Sequence, residues 1–207
     1  MPASPMVVSM MERLRGLDDS DRLGRLIAYH AAPTIAGMTP ANLVCLADGG
    51  CLAVWRENRM RFRQGLGIEL EELKSCPAPV LILCYRPALV RRALNRRGAR
   101  RVLAETGYGD AGRDLKGLLE KLGENCRSGR FPHEIGLFLG YPPRDVSLFM
   151  RRGGGGARLT GCWRAYHDAD RAARFFARCR EVKDGAARLL GDGADFTEVA
   201  GRLRQAI

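Results

Sequence analysis

The sequence predicts a helix-rich α/β or α+β domain in which a small central sheet is built from β-α units. Three observations lead to this fold class. Amphipathic helical segments alternate with apolar runs of strand length, three of these runs end in tyrosine before a helix start, and 46% of the 207 residues are hydrophobic. This length and apolar share can supply one compact core, so we expect residues 1–207 to form a single domain.

Helix signals mark five segments of the chain. The signals are a capping residue, a proline at the first helical position, or apolar residues at helical spacing. The predicted starts and spans are Ser20, Thr39-Pro40, residues 52–64, residues 114–122 and the segment after Asp195.

The three apolar runs that end in tyrosine share one form, which is typical of a strand followed by a helix. The predicted strands are residues 79–85, 134–141 and 161–166, and the helix starts that follow them are Pro87, Pro143 and Asp168. The sequence leaves the order and direction of these strands open.

The ends of these strands predict a ligand site, because open α/β sheets bind ligands beyond the carboxyl ends of their strands. If the three strands are parallel and adjacent, Tyr85, Arg86, Tyr141, Tyr166 and His167 face one crevice. Arginine binds carboxylates or phosphates, tyrosine stacks and hydrogen-bonds, and histidine transfers protons, so the set suits a small anionic or aromatic ligand. In the alternative interpretation, each tyrosine is a boundary residue with a buried ring and a hydrated hydroxyl.

His133 and Glu134 form a second candidate pair. Neighbours on a strand point to opposite faces, and His133 would lie about 25 Å from Tyr141 at about 3.3 Å per residue. A mixed metal site with a cysteine and Asp145 is one interpretation, and a structural clamp on a neighbouring loop is the other. We include both residues among the ligand-binding candidates and name no metal ligand, cofactor or catalytic residue from the sequence.

The net charge of +11 raises the question of a polyanionic partner. Of 34 basic residues only four are lysines, which leaves 30 arginines. Nucleic-acid binding is disfavoured, because no helix-turn-helix, zinc-finger or RNA-binding signature accompanies the arginines and aromatic residues near them are sparse. An arginine-rich solvated surface and the docking of an acidic protein partner both stay open.

The seven cysteines and the apolar pattern predict a cytoplasmic location. The chain shows no signal peptide, no run long enough for a membrane span and no CxxC pair, so reduced thiols and no membrane association are expected. Phosphate-loop, dinucleotide-loop and GxSxG motifs do not occur in the sequence, which disfavours nucleotide-hydrolysing and serine-hydrolase activities. The sequence does not decide whether the protein is an enzyme.

One continuous motif, FPHEIGLFLGYPPRDV at residues 131–146, resembles the signature of a bacterial family, the domain of unknown function 3793. The resemblance extends along nearly the whole chain. Its other matching stretches are residues 32–34, 40–43, 85–86 and 161–168. In the last stretch this chain reads GCWRAYHD where the family pattern is close to GYWKVYGD, and Thr39 occupies a position where the family pattern has lysine.

The resemblance implies no defined activity, because the family is named for having none assigned. Its members occur in anaerobic bacteria, in places beside flavodoxin-like or ferrous-iron uptake genes, which implies a redox or iron-linked role. The combined expectation is a protein that binds a small anionic or aromatic ligand or cofactor in such a pathway. The alternatives are a basic adaptor for an acidic partner, such as a flavodoxin-like protein, and a nucleic-acid-binding protein.

Overall fold

The computed structural model describes residues 4–46, 50–74, 79–109, 114–129 and 131–205, with the side chains of residues 50 and 51 left out. Most of these residues are helical. The helices are α1 (Pro5–Leu14), α2 (Asp19–His30), α3 (Ala32–Ile35), α4 (Gly50–Leu66), α5 (Pro87–Leu94), α6 (Arg97–Glu105), α7 (Leu115–Arg127), α8 (Ile135–Phe138), α9 (Pro143–Arg152), α10 (Ala169–Gly191) and α11 (Phe196–Gln205). The strands are β1 (Ala41–Leu46), β2 (Glu69–Lys74), β3 (Val80–Tyr85), β4 (Leu159–Thr160) and β5 (Arg164–Ala165).

Strand β3 is the centre of the fold. It pairs antiparallel with β1 on one side and with β2 on the other, and all six of its residues are buried. Its side chains alternate between two hydrophobic clusters. Val80, Ile82 and Cys84 belong to the first cluster, together with residues of α1, α2, α4, α10 and α11. Leu81, Leu83 and Tyr85 belong to the second cluster, together with residues of α5 to α9.

The predicted fold class is confirmed: an α+β domain rich in helix, with a small sheet covered by helices on both faces. The strand predicted at residues 79–85 is β3, the helix predicted at 52–64 is α4, and the helix predicted at 114–122 lies in α7. Asp195 precedes α11 as predicted, and its carboxylate accepts the N–H groups of Thr197 and Glu198. No helix in the described part of the chain is long and apolar enough to span a bilayer.

One predicted helix start is wrong, and the helix predicted from Ser20 is present but has a different cap. Residues after Pro40 form β1 because Val44 and Leu46 gain a partner strand and a buried face, which outweighs the local helix signal. The hydroxyl of Thr39 caps no helix and hydrogen-bonds Asn42 instead. Helix α2 is capped by the Asp18 carboxylate, which accepts the N–H of Ser20, the residue that the pattern had favoured as the cap.

Two of the three predicted strands are also wrong. Residues 134–141 contain the short helix α8, and only Arg164 and Ala165 of residues 161–166 pair, in a two-residue hairpin with β4. A short apolar run that is buried on all sides has the same pattern as a strand or a helix, so periodicity cannot distinguish them. The central sheet therefore has antiparallel strands and does not contain three parallel strand ends.

In the first cluster, α2, α4 and α11 approach one another closely. Phe196, at the start of α11, lies where α2 and α4 meet, and its ring packs edge-to-face on Phe62 with centroids 5.7 Å apart. A Cβ atom at Gly65 would lie 2.5 Å from this ring, and one at Gly24 would lie 2.7 Å from it. Glycine at both positions is therefore required by the position of Phe196.

We predict that Gly65→Ala lowers the free energy of unfolding by about 1–3 kcal/mol, because overpacking outweighs the roughly 1 kcal/mol by which alanine favours a helix. Gly185→Ala is the matched control. Gly185 is also helical, but no described atom lies within 4 Å of an added Cβ, so this variant should be more stable by about 0.5–1 kcal/mol. Urea denaturation measures both values, and shifts of the same sign would contradict this packing.

Candidate functional site

The carboxylate of Asp145 organises the region around the hairpin. Asp145 lies in the first turn of α9 and is only 5% exposed. Oδ2 accepts the indole N–H of Trp163 at 3.0 Å, and Oδ1 accepts the backbone N–H of Tyr166 at 3.1 Å. Nδ1 of His167 lies 3.1 Å from the same Oδ1. One buried carboxylate thus joins α9 to the β4–β5 hairpin and to the start of α10.

Trp163 is held between two sets of aromatic rings. Its centroid lies 5.2 Å from that of Tyr141, and 5.4 Å and 4.6 Å from those of Phe175 and Phe176 on α10. Burial raises the pKa of the Tyr141 phenol, so this group stays protonated at neutral pH. The Tyr141 and Trp163 rings form a wall, with one ring from the α8–α9 turn and the other from the hairpin.

This wall closes one side of a cavity of about 250 Å³, which we call the aromatic pocket. Apolar and aromatic side chains form most of its lining. The lining residues are Leu43, Phe131, His133, Ile135, Gly136, Leu139, Tyr141, Asp145, Val146, Phe149, Trp163 and Arg164. They come from β1, α8, α9 and the hairpin, so the pocket exists only when these elements are assembled.

Polar groups at the pocket are few. The exposed His133 ring packs edge-to-face on Phe149 with centroids 5.0 Å apart. Arg164, also exposed, donates a hydrogen bond to the carbonyl of Gly154, and its guanidinium carbon lies 5.8 Å from the centroid of Phe149. The pocket therefore combines an apolar lining with an imidazole, a guanidinium and the Asp145 carboxylate, whose two oxygens already accept hydrogen bonds.

The turn of α8 explains why His133 and Tyr141 line the same pocket. The expected separation of about 25 Å assumed a straight strand, and the segment is instead folded back. The N–H of Tyr141 donates to the carbonyl of Gly136 at 2.8 Å, and Gly140 between them adopts a positive φ of 85°. The two candidate residues are thus brought together by a helical turn.

Glu134 lies on the opposite side of this segment from His133. Its Oε1 accepts hydrogen bonds from the Tyr108 hydroxyl and the Asn125 amide, both at 3.1 Å, within the second cluster. Burial, together with the charge of Glu134, raises the pKa of Tyr108. This geometry agrees with the clamp interpretation of Glu134, since it ties the α8 segment to α7 and to the end of α6. The described residues contain no group of three or more metal-ligating side chains.

The other predicted site residues lie apart from the aromatic pocket. Tyr85 ends β3 with its ring in the second cluster, and burial raises its pKa. Arg86 borders a separate cavity beside Gly67 and Pro87. Tyr166 is buried next to Asp145, and its hydroxyl has no hydrogen-bond partner among the described residues.

A second, wider cavity of about 620 Å³ lies on the other side of the Tyr141–Trp163 wall. We call it the arginine groove, because four exposed arginines line it: Arg92, Arg96, Arg144 and Arg171. Among the described residues, none of the four forms an ion pair. The carboxylates in its lining are already engaged, Asp145 as above and Asp168 as the cap that accepts the N–H of Arg171. The groove is therefore strongly positive.

Sequence reasoning missed the aromatic residues that form the pocket, above all Trp163 and Phe149. Both lie in or beside the motifs that resemble the family, which was a usable signal. Asp145 appeared only as a metal-ligand candidate. Its contact with Trp163 spans 18 residues, and local spacing does not encode a contact of that kind.

The surroundings of Arg86 generate a prediction about stability. Nε of Arg86 donates to the carbonyl of Thr34 at 2.7 Å, and Nη2 donates to the carbonyl of Ile35. Arg86→Ala would remove both hydrogen bonds, so the free energy of unfolding should fall by about 2 kcal/mol. The exposed Arg91→Ala should change it by less than about 0.5 kcal/mol. Equal values for the two variants in urea denaturation would show that these bonds do not stabilise the fold.

Comparison with known proteins places the chain by family alone. No curated protein matches it, and no solved structure does. A family model described as protein of unknown function (DUF3793) matches residues 27–200, which include the whole of the aromatic pocket and most of both hydrophobic clusters. The chain therefore belongs to the family of proteins of unknown function DUF3793.

Proposed function

We propose that the protein binds a small ligand with an aromatic or apolar body and an anionic group in the aromatic pocket. The observation that carries this proposal is the pocket itself, a cavity of about 250 Å³ lined by aromatic rings. Small-molecule sites are typically concave and mostly apolar, with a few polar groups that orient the ligand. The pocket has this composition.

Two side chains at the pocket, Arg164 and His133, favour an anionic substituent on the ligand. Arg164 keeps donors beyond the one used by Gly154, because a guanidinium carries five N–H groups. His133 offers a ring nitrogen at the same pocket. A carboxylate or sulfonate placed between them would be oriented by charge, while its ring stacks on Phe149 or Trp163.

Exposed apolar surface at the pocket supports the same proposal. Phe131, which lines the pocket, is 46% exposed, although a phenylalanine is normally among the more buried residue types. Exposed aromatic surface beside a concave site commonly marks a place where a partner is bound. A bound ligand would cover this ring and remove its apolar area from water.

The family context extends the proposal to a redox or iron-linked pathway in the cytoplasm, with the ligand as cofactor or substrate. Absorbance of the purified protein tests the cofactor version. A flavin, haem or iron chromophore would support it, and a colourless, metal-free preparation would restrict the proposal to a dissociable ligand. Tyr85, Arg86 and Glu134 have no part in this site, since they lie outside the pocket.

We predict that 8-anilinonaphthalene-1-sulfonate, an anionic aromatic dye, binds the folded protein at one site per chain. Phe149→Ala should weaken binding about tenfold, because it removes a stacking ring and apolar contact area worth roughly 1.4 kcal/mol. Arg164→Ala should weaken the sulfonate dye and leave its uncharged analogue N-phenyl-1-naphthylamine nearly unaffected. Fluorescence titration measures both dyes.

Met60→Ala is the control for the dye experiment, because Met60 is a 51% exposed apolar residue on α4, away from the pocket. It should leave both affinities unchanged. A cooperative thermal transition for each variant ensures that the dye reports a pocket and not a loosened core. Unchanged affinity in Phe149→Ala would overturn the proposed site.

A second function, docking of an acidic protein partner, is supported by the arginine groove. Four exposed guanidinium groups without ion pairs among the described residues outnumber the two engaged carboxylates and give a concave, net positive surface. Such surfaces steer acidic partners and bind them with an affinity that falls steeply with salt.

We predict that poly-L-glutamate, used as an acidic probe, binds more weakly to the double variant Arg92→Glu/Arg96→Glu than to Arg15→Glu/Arg59→Glu. The two variants carry the same net charge, and Arg15 and Arg59 are exposed residues outside the groove. Anisotropy titrations at about 50 mM and about 500 mM salt should show the difference only at low salt. Equal weakening by both pairs would reject the groove, and tighter binding of a single-stranded oligonucleotide would favour a nucleic-acid partner.

A further inference from the structure

Two cysteines meet where the β4–β5 hairpin packs on α10. Cys162 lies in the turn between the two short strands and is exposed, whereas Cys179 lies on α10 and is buried. Neither is part of the aromatic pocket or the arginine groove.

The residues on both sides of Cys162 pack against one turn of α10. A Cβ atom at Gly161 would lie only 2.1 Å from the Phe176 ring, and the Trp163 ring lies 4.6 Å from it, centroid to centroid. Phe176 precedes Cys179 by three residues, so the two share a face of the helix. The turn therefore brings Cys162 to the face of α10 that carries Cys179, and the two thiols interact electrostatically.

The surroundings of the two thiols make Cys162 the nucleophile and Cys179 the resolving thiol. The neighbouring Cys179 thiol lowers the pKa of Cys162; partial burial opposes this, and the positive charges of Lys183 and Arg180 lower the pKa further. The neighbouring Cys162 and burial both raise the pKa of Cys179. Thiolates are the reactive form of cysteine, so Cys162 reacts first and Cys179 keeps its proton until a second step.

We propose that Cys162 and Cys179 form a redox-active dithiol that is oxidised by low-molecular-weight disulfides. The Cys162 thiolate attacks one sulfur of the disulfide, forms a mixed disulfide and releases one thiolate, which takes up a proton. Cys179 then loses its proton and attacks the Cys162 sulfur, which expels the second small thiol. The protein gains one intramolecular disulfide, and the small disulfide is reduced to two thiols.

The position of the pair links its oxidation state to the neighbouring wall of rings. The ring of Tyr141 packs on that of Trp163, with centroids 5.2 Å apart. Trp163 follows Cys162 directly in the hairpin. A disulfide would fasten the hairpin to α10 and hold Trp163 in place. The dithiol does not depend on whether the aromatic pocket binds a ligand.

The test is to treat the reduced full-length protein with glutathione disulfide and to map its cysteines by mass spectrometry. We expect one Cys162–Cys179 disulfide, seen as the loss of two hydrogens and of both free thiols. Cys179→Ser should stop at a stable glutathione adduct on Cys162. Cys162→Ser should leave Cys179 unmodified, because the remaining thiol is buried.

Cys45 serves as the internal control, because it is also exposed but lies on β1. In the wild-type protein, Cys162 should react with iodoacetamide several-fold faster than Cys45 at neutral pH. Wild-type protein that carries glutathione equally on Cys45 and Cys162, with no Cys162–Cys179 disulfide, would overturn the proposal. This outcome is read from the unmutated protein, so it holds even if a serine variant fails to fold.

Discussion

The buried carboxylate of Asp145 is the constraint on which the described site depends. It accepts two N–H groups of the hairpin region and contacts the His167 ring, so α9, the hairpin and the start of α10 share one electrostatic anchor. A hairpin with two residues in each strand is too short to be stable alone and needs such tertiary contacts. Loss of the carboxylate would leave buried donors unsatisfied, which costs more than the absence of one ordinary surface hydrogen bond. The position of Trp163 follows from this anchor, and both cavities share Trp163 as a wall.

The proposed functions occupy three adjacent parts of this assembly. The aromatic pocket offers ring surfaces and a few polar groups, the arginine groove offers positive charge, and the proposed Cys162–Cys179 dithiol lies at the turn of the hairpin. Tyr141 and Trp163 separate the two cavities, and Trp163 follows Cys162 in the hairpin. A movement of the hairpin would therefore alter the aromatic pocket, the arginine groove and the cysteine pair together. The large helical layers on either side of β3 have a different role, since they hold β1, α8 and α9 in the positions that the pocket requires.

The features predicted correctly from sequence are those encoded within a few residues. The uninterrupted apolar run of β3, the stripe of leucines on α7 and the cap at Asp195 are local patterns, and the fold class follows from them. The α8 segment was predicted as a strand because a short buried run lacks a distinguishing period. The contacts of Arg86 are not predictable in this way, because Thr34 and Ile35, whose carbonyls accept its hydrogen bonds, lie more than fifty residues away in the sequence. Long-range contacts of this kind create the pocket, which is why His133 and Tyr141 were identified but their shared cavity was not.

The most direct test of the account uses the two tryptophans of the chain, whose indole N–H groups report on different places. Trp163 donates to Asp145 at the wall of the aromatic pocket, and Trp55 donates to Glu72 from within the first hydrophobic cluster. In ¹H–¹⁵N spectra of the folded protein titrated with 8-anilinonaphthalene-1-sulfonate, the Trp163 indole signal should shift saturably while the Trp55 signal stays in place. A Trp163 signal that does not move while the dye is bound would contradict the claim that this wall is a ligand-binding surface.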